Sequence, residues 1–221
     1  MRCLTFVLTA LLLHTPLVSR AFCQTHHGQP KTSHLKFTKI TMLNALLAAA
    51  NDVKVPLGIM CADQRIRETE ISIEINRRTL RDAVVAITSS QPDLKTTVRN
   101  GVVFVQRIPL PEECDYLTST IPRFDAERDT VEHLSAKLWM TLETQLDPSK
   151  VGFTGVLHPN PKDREIGPAD LRGQQVKDIL NWMVMQHGAA AWVALPSKSA
   201  KDSPMGKLWQ IVFYDSSLRQ F

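Results

Sequence analysis

The residues of this chain best suited to chemistry are three histidines and a cysteine, His133, His158, His187 and Cys114, with the adjacent acids Glu112 and Glu113. An imidazole beside a thiol or a serine hydroxyl makes an activated nucleophile, and a nearby carboxylate orients the imidazole. In a hydrolase or small-ligand protein, His133, His187, Glu112 and Glu113 would converge in a cleft between two halves of the molecule. Spacing lends this no local support. The chain has no Gly-x-Ser-x-Gly elbow, no phosphate-cradling glycine loop, no His-Glu-x-x-His and no Cys-x-x-Cys, and it holds only 9 glycines. No catalytic or cofactor-binding residue follows from the sequence, and no cofactor is expected.

Metal-binding patterns are equally thin. His26, His27 and His34 lie in a polar stretch without period, which reads as a solvated tail, and no metal ligand is assigned. Asp125, Glu127 and Asp129 precede a helix, where negative charge offsets the helix dipole. The four tryptophans, Trp139, Trp182, Trp192 and Trp209, all fall in the C-terminal half. Three of them lie on apolar stripes or strands and read as packing; Trp182 is the one whose exposure would suggest an aromatic platform.

The first residues have the shape of an export signal: Arg2, the apolar run Leu4 to Leu13, then Ser19-Arg20-Ala21 before a cut. Residues 1–21 are expected to be removed, giving a periplasmic or secreted chain. The apolar run falls short of the roughly 20 residues a membrane span needs, and no later run replaces it. Cleavage takes away two arginines and no acid, so 24 cations remain against 22 acids, a net charge of +2. Nothing in that balance suggests a nucleic-acid-binding stripe, and no nucleic-acid partner is expected. Three cysteines stay behind, Cys23, Cys61 and Cys114. Cys61 closes one strand and Cys114 follows the last strand of the same unit, so the two are candidates for a disulfide; three unpaired thiols are the alternative.

What would position these groups is a strand, helix and hairpin between Glu70 and Arg107. Ile71, Ile73 and Ile75 alternate with Glu and Ser, the period of a half-buried strand. Thr79 caps a helix whose Leu80, Ala83, Val84 and Ile87 form one stripe, and two β-rich arms flank Asn100-Gly101, a pair that accepts the positive φ of a tight hairpin turn. Before them, Thr41 caps a helix with Leu43, Leu46, Leu47 and Ala50 inward, and Val55 to Cys61 reads as a strand. A shift of 96 residues lays Val176, Ile179, Leu180 and Met183 on the Leu80 stripe and, without a gap, Trp139, Leu142 and Leu146 on Leu43, Leu46 and Ala50. That recurrence argues internal duplication. The fold class is α+β, two similar αββαββ units with helices packed on small sheets. The division is 22–36 flexible leader, 37–108 first unit, 109–116 linker with paired prolines, and 117–221 second unit. In the second, Asp129 and Glu132 form a capping box, strands run from Val151 to Leu157, Ala169 to Arg172, Ala190 to Leu195 and Leu208 to Tyr214, and a helix spans Gln174 to His187. Loops 158–168 and 197–206 differ between the copies and are the segments free to specialise.

Asp170-Leu171-Arg172-Gly173-Gln174-Gln175-Val176-Lys177-Asp178-Ile179-Leu180 resembles the core of the short N-terminal (STN) domain shared by secretins and TonB-dependent receptors, as do Ile73 to Val84 and Leu94 to Gln106. The resemblance implies a small periplasmic module that docks onto a partner protein by its edge strands and has no catalytic residues. The expectation is therefore an exported, non-catalytic interaction or scaffold module with a protein partner. The rival is the ligand-binding protein or hydrolase described above.

Overall fold

The computed structural model describes residues 31–76, 78–145, 164–188, 191–196 and 209–214. It is α+β, with helices and small sheets mixed along the chain. Five helices and nine strands are seen among the described residues. They are β1 (His34–Thr41), α1 (Met42–Val53), β2 (Leu57–Met60), α2 (Gln64–Glu68), β3 (Glu70–Asn76), α3 (Leu80–Ile87), β4 (Leu94–Arg99), β5 (Val102–Arg107), β6 (Thr120–Ala126), α4 (Val131–Gln145), β7 (Ala169–Gln175), α5 (Val176–His187), β8 (Ala191–Pro196) and β9 (Trp209–Tyr214). No helix among them is long and apolar enough to cross a membrane.

Local chemistry sets the helix starts. The Thr41 hydroxyl accepts from the Asn44 amide, and the Thr79 hydroxyl from the Asp82 amide at 3.2 Å, which satisfies amides the helix itself leaves unpaired. Leu80, Ala83, Val84 and Ile87 are all buried on one stripe, as are Leu43, Leu46, Leu47 and Ala50. Asn100 and Gly101 take φ of 51° and 81°, the left-handed pair that closes the β4–β5 hairpin. At α4 the cap differs from expectation. It is the Thr130 hydroxyl that accepts from the His133 amide, while the Asp129 carboxylate accepts from the Thr130 amide and sits 2.8 Å from His133 Nδ1. The cap falls one residue later than expected, and Asp129 is held in a backbone bridge to Ile166.

Three sheets form. β1 pairs antiparallel with β3, β6 with β7, and the largest has the order β4-β5-β2-β8-β9, drawing strands from both halves of the chain. Its two faces are covered by different helices. Leu57, Ile59, Val103, Val105, Ala191 and Val193 join α1, α2 and α3 in one core. Met60, Val102, Phe104, Trp192, Ala194, Ile211 and Phe213 join α4, α5 and the segment 112–118 in the other. The halves are thus not closed each on a sheet of its own; they meet through the parallel pairing of β2 with β8. At that seam Gly58 lies opposite Trp192, and a Cβ on Gly58 would come within 2.9 Å of the indole ring.

Several sequence boundaries shift. The expected leader overruns the fold: His34, Leu35 and Lys36 belong to β1, and the Ser33 amide and hydroxyl both donate to Asp52 at 2.8 Å. The segment read as a linker carries a 3₁₀ helix, Glu112–Thr118, whose Cys114, Tyr116 and Leu117 are buried. Burial pushes the Tyr116 phenol upward in pKa. Strands β1 and β6 precede the first helix of each half, so neither half begins with a helix. A single offset does not carry through either. Leu80 and Val176 open their helices 96 residues apart, but the offset is 86 between the starts of β1 and β6 and 107 between those of β5 and β9. Trp139, deep in α4, therefore does not correspond to Leu43 at the start of α1. The expected strand Val151 to Leu157 lies outside the described residues.

The ends of β2 and β5 are tied by charge. Arg107 Nη1 donates to Asp63 Oδ2 at 2.6 Å, Arg107 Nε lies 2.8 Å from Asp93 Oδ2, and Arg65 reaches both acids at 3.6 and 3.5 Å. Asp63 also caps α2 through the Arg65 and Ile66 amides. Burial works to raise the pKa of Asp63, but the Arg107 hydrogen bond, the Ile66 amide and the charges of Arg107 and Arg65 together hold it below 3.8. A carboxylate with a depressed folded pKa contributes stability above its unfolded pKa, and that contribution is lost as pH falls through the folded value. Urea midpoints should therefore decline as pH drops below 3.8, and Asp63→Asn should flatten that decline. An unchanged slope in the variant would remove Asp63 from the acid response.

Candidate functional site

β4 forms one outer edge of the five-stranded sheet among the described residues. The Ile108 amide donates to the Asp93 carbonyl at 2.9 Å, and Arg99 faces Val102 across the turn. Antiparallel ladders alternate, so the amides of Lys95, Thr97 and Arg99 turn toward β5 and those of Thr96 and Val98 turn outward. Leu94, the next outward amide, is taken by the Gln91 carbonyl at 3.0 Å. The open edge is short: the peptide groups of Thr96 and Val98.

A hollow lies on each side of this edge, and Thr97 and Val98 line both. On the α3 side, about 600 Å³ is bounded by Thr96, Val98 and the start of α3, namely Thr79, Arg81 and Asp82. The Thr79 hydroxyl is occupied there, donating to Asp82 Oδ2 at 2.7 Å. The Thr96 hydroxyl is inaccessible and has no hydrogen-bond partner among the described residues. On the α5 side, about 280 Å³ is lined by the buried Met60 and Phe104, with Gln106, Arg99 and Lys177. Arg99 is 3.5 Å from Asp178 in the first turn of α5, joining the hairpin of one half to a helix of the other. Val98 is 41 % exposed, an apolar side chain left bare at the rim of both hollows.

The residues singled out for chemistry do not gather here. His133 is exposed and ion-paired with Asp129, which the Thr130 amide and His133 hold below the usual carboxylate pKa. His187 is buried in the last turn of α5, and Glu112 and Glu113 lie exposed on the 3₁₀ helix; none of the four lines either hollow. Asp125 pairs with Arg123 at 2.9 Å on the surface of β6. His34 contacts Asn76 and lies 3.8 Å from Glu74. Among the described residues no three His, Cys, Asp or Glu side chains are grouped as metal ligands would be. Trp139 and Trp192 are fully buried, and Trp182 is half-buried against the second core rather than displayed. His26, His27, His158, loop 197–206, the Trp209 side chain and most of loop 158–168 lie outside what is described.

Cys61 and Cys114 are joined in a disulfide, their Cα atoms 5.8 Å apart. The bridge ties the residue after β2 to the 3₁₀ helix that leads into the second half. Sequence reasoning overlooked the β4 edge because an edge is a property of sheet order, and Lys-Thr-Thr-Val reads the same in a central strand. The usable signal was its charge: Lys95 and Arg99 on one face are what an unpaired edge carries to avoid aggregation.

No protein-family model matches the chain, and neither the curated proteins nor the solved structures contain a match to it.

Proposed function

We propose that this chain is an exported, non-catalytic docking module, built on two related halves and working as the STN domain works, by taking up an extended segment of a protein partner along β4. The observation that carries this reading is the outward-facing backbone of Thr96 and Val98, flanked by a hollow on either face of the sheet. Strand addition draws affinity from main-chain hydrogen bonds and specificity from pockets for alternate side chains, and both are available there. A periplasmic or secreted location is supported by the signal-like residues 1–21 and by the Cys61–Cys114 disulfide, a bond typical of oxidising compartments. The rival enzymatic reading would draw on His133, His187, Glu112 and Glu113, none of which lines either hollow beside β4.

A photo-crosslinking residue introduced at Val98 in producing cells should give a discrete adduct, and the same residue at Met140, exposed on α4, should give none. Thr96→Pro removes an outward amide without touching the ladder and should abolish the adduct. Adducts of equal yield at both positions, or an adduct indifferent to Thr96→Pro, would dismiss β4 as the docking edge.

A further inference from the structure

Resting on the docking reading above, we infer that the segment received by β4 is acidic, presenting an aspartate or glutamate to Lys177 and Arg99 on the α5 side of the sheet. A strand laid beside β4 sends its side chains alternately to the two faces. On the α5 face, which carries Phe104 and Val102, β4 itself contributes Lys95, Thr97 and Arg99, and α5 contributes Lys177. Among the described residues, the acid ion-paired with these cations is Asp178, 3.5 Å from Arg99 with its side chain 7 % exposed. Lys95 and Lys177 have no ion pair among the described residues. A side chain entering this hollow meets Met60 and Phe104 with its methylenes and a surplus of positive charge with its end. Glutamate has both parts. The α3 face lacks this asymmetry, since Arg81 and Asp82 stand side by side there.

The same charges argue against a second copy as the occupant. Two β4 edges paired antiparallel about Thr97 would set Lys95 of each against Arg99 of the other on one face, and like charges directly opposed destabilise a strand pair. The edge repels itself and attracts an acid.

The test is selection of a display library of extended peptides, alternate positions randomised, against the full chain, with affinities of the selected peptides measured by anisotropy at low and high salt. Selected sequences should share Asp or Glu at one position, and Glu→Gln there should weaken binding about tenfold or more, the worth of a charged hydrogen bond. Lys177→Glu, which suits the first turn of a helix, should invert the selection to Lys or Arg. Val98→Pro should abolish binding of every peptide while leaving the thermal melt in place. Peptides that bind wild type but show no charge preference, and are still lost in Val98→Pro, would overturn the acidic partner and keep the docking edge. Failure to select any peptide would overturn both. A dimer whose Thr96 and Val98 amides are protected from exchange would overturn the proposal by seating a second copy on β4.

Discussion

Trp192→Ala is expected to lower the free energy of unfolding by about 3–5 kcal/mol, the range for emptying a large aromatic site in a packed core. The side chain is fully buried and is held from three directions. Its indole lies over Gly58 on the neighbouring strand, closely enough that no side chain fits between. Its Nε1 donates to Asn181 Oδ1 at 2.8 Å in the interior, and Phe104 meets it edge-on with ring centroids 6.4 Å apart. Alanine removes all three contacts and leaves the Asn181 carbonyl oxygen buried without its donor. Trp192→Phe separates the contributions: it keeps most of the ring and loses the hydrogen bond, a cost of about 1–3 kcal/mol for the stranded acceptor. Gly58→Ala probes the contact from the other strand and should destabilise even though it adds buried carbon, because the indole must move to admit the Cβ. Since the sheet is shared, urea unfolding of Trp192→Ala followed by fluorescence and by far-ultraviolet circular dichroism should remain one transition. Two separated transitions would mean that the halves hold together independently of the β2–β8 seam.

That seam was the part of the fold least legible in the sequence. Elements whose own residues carry the signal were readable: the stripes of α3 and α5 and the Asn100-Gly101 turn are local facts, and they stand where the residues said. β1 was hidden by a bulge. Leu35 and Phe37 face inward, then the register shifts before Ile40, so the inward residues change parity and the alternation breaks at Lys39, whose φ is 51°. β6 was hidden by Pro122, which reads as a strand breaker and is tolerated here because β6 pairs with β7 alone among the described residues. β2 was readable as a strand, since all four of its residues are buried, but burial on both faces says nothing about which strands flank it. The pairing of β2 with β8 joins residues more than a hundred positions apart, and no periodicity encodes it. The proposed docking edge inherits that limit, because β4 is an edge only by virtue of what the other strands do.

Cys61→Ser/Cys114→Ser is expected to cost about 2–4 kcal/mol and to abolish the response to reductant. The two cysteines are 53 residues apart in sequence, a closed loop for which chain entropy alone gives about 4 kcal/mol, and that figure is reached only where the native fold accepts the bridge unstrained. Both side chains are buried in the second core, 3 % and 0 % exposed, so serine also brings buried hydroxyls and pushes the loss toward the upper end. The single variants should behave worse than the double, because each leaves one thiol able to pair wrongly with Cys23. Wild type in reductant should fall to the stability of the double variant within about 1 kcal/mol, the hydroxyl contribution aside. The consequence reaches function through position. Cys61 follows β2 directly, and Met60, its neighbour, lines the α5-side hollow beside β4. If β4 docks a peptide as proposed, a chain made in a reducing compartment should therefore lose that binding at temperatures where it is still largely folded, and regain it on oxidation. Binding that is indifferent to reduction would leave the bridge a stabiliser of the core without influence on the docking edge.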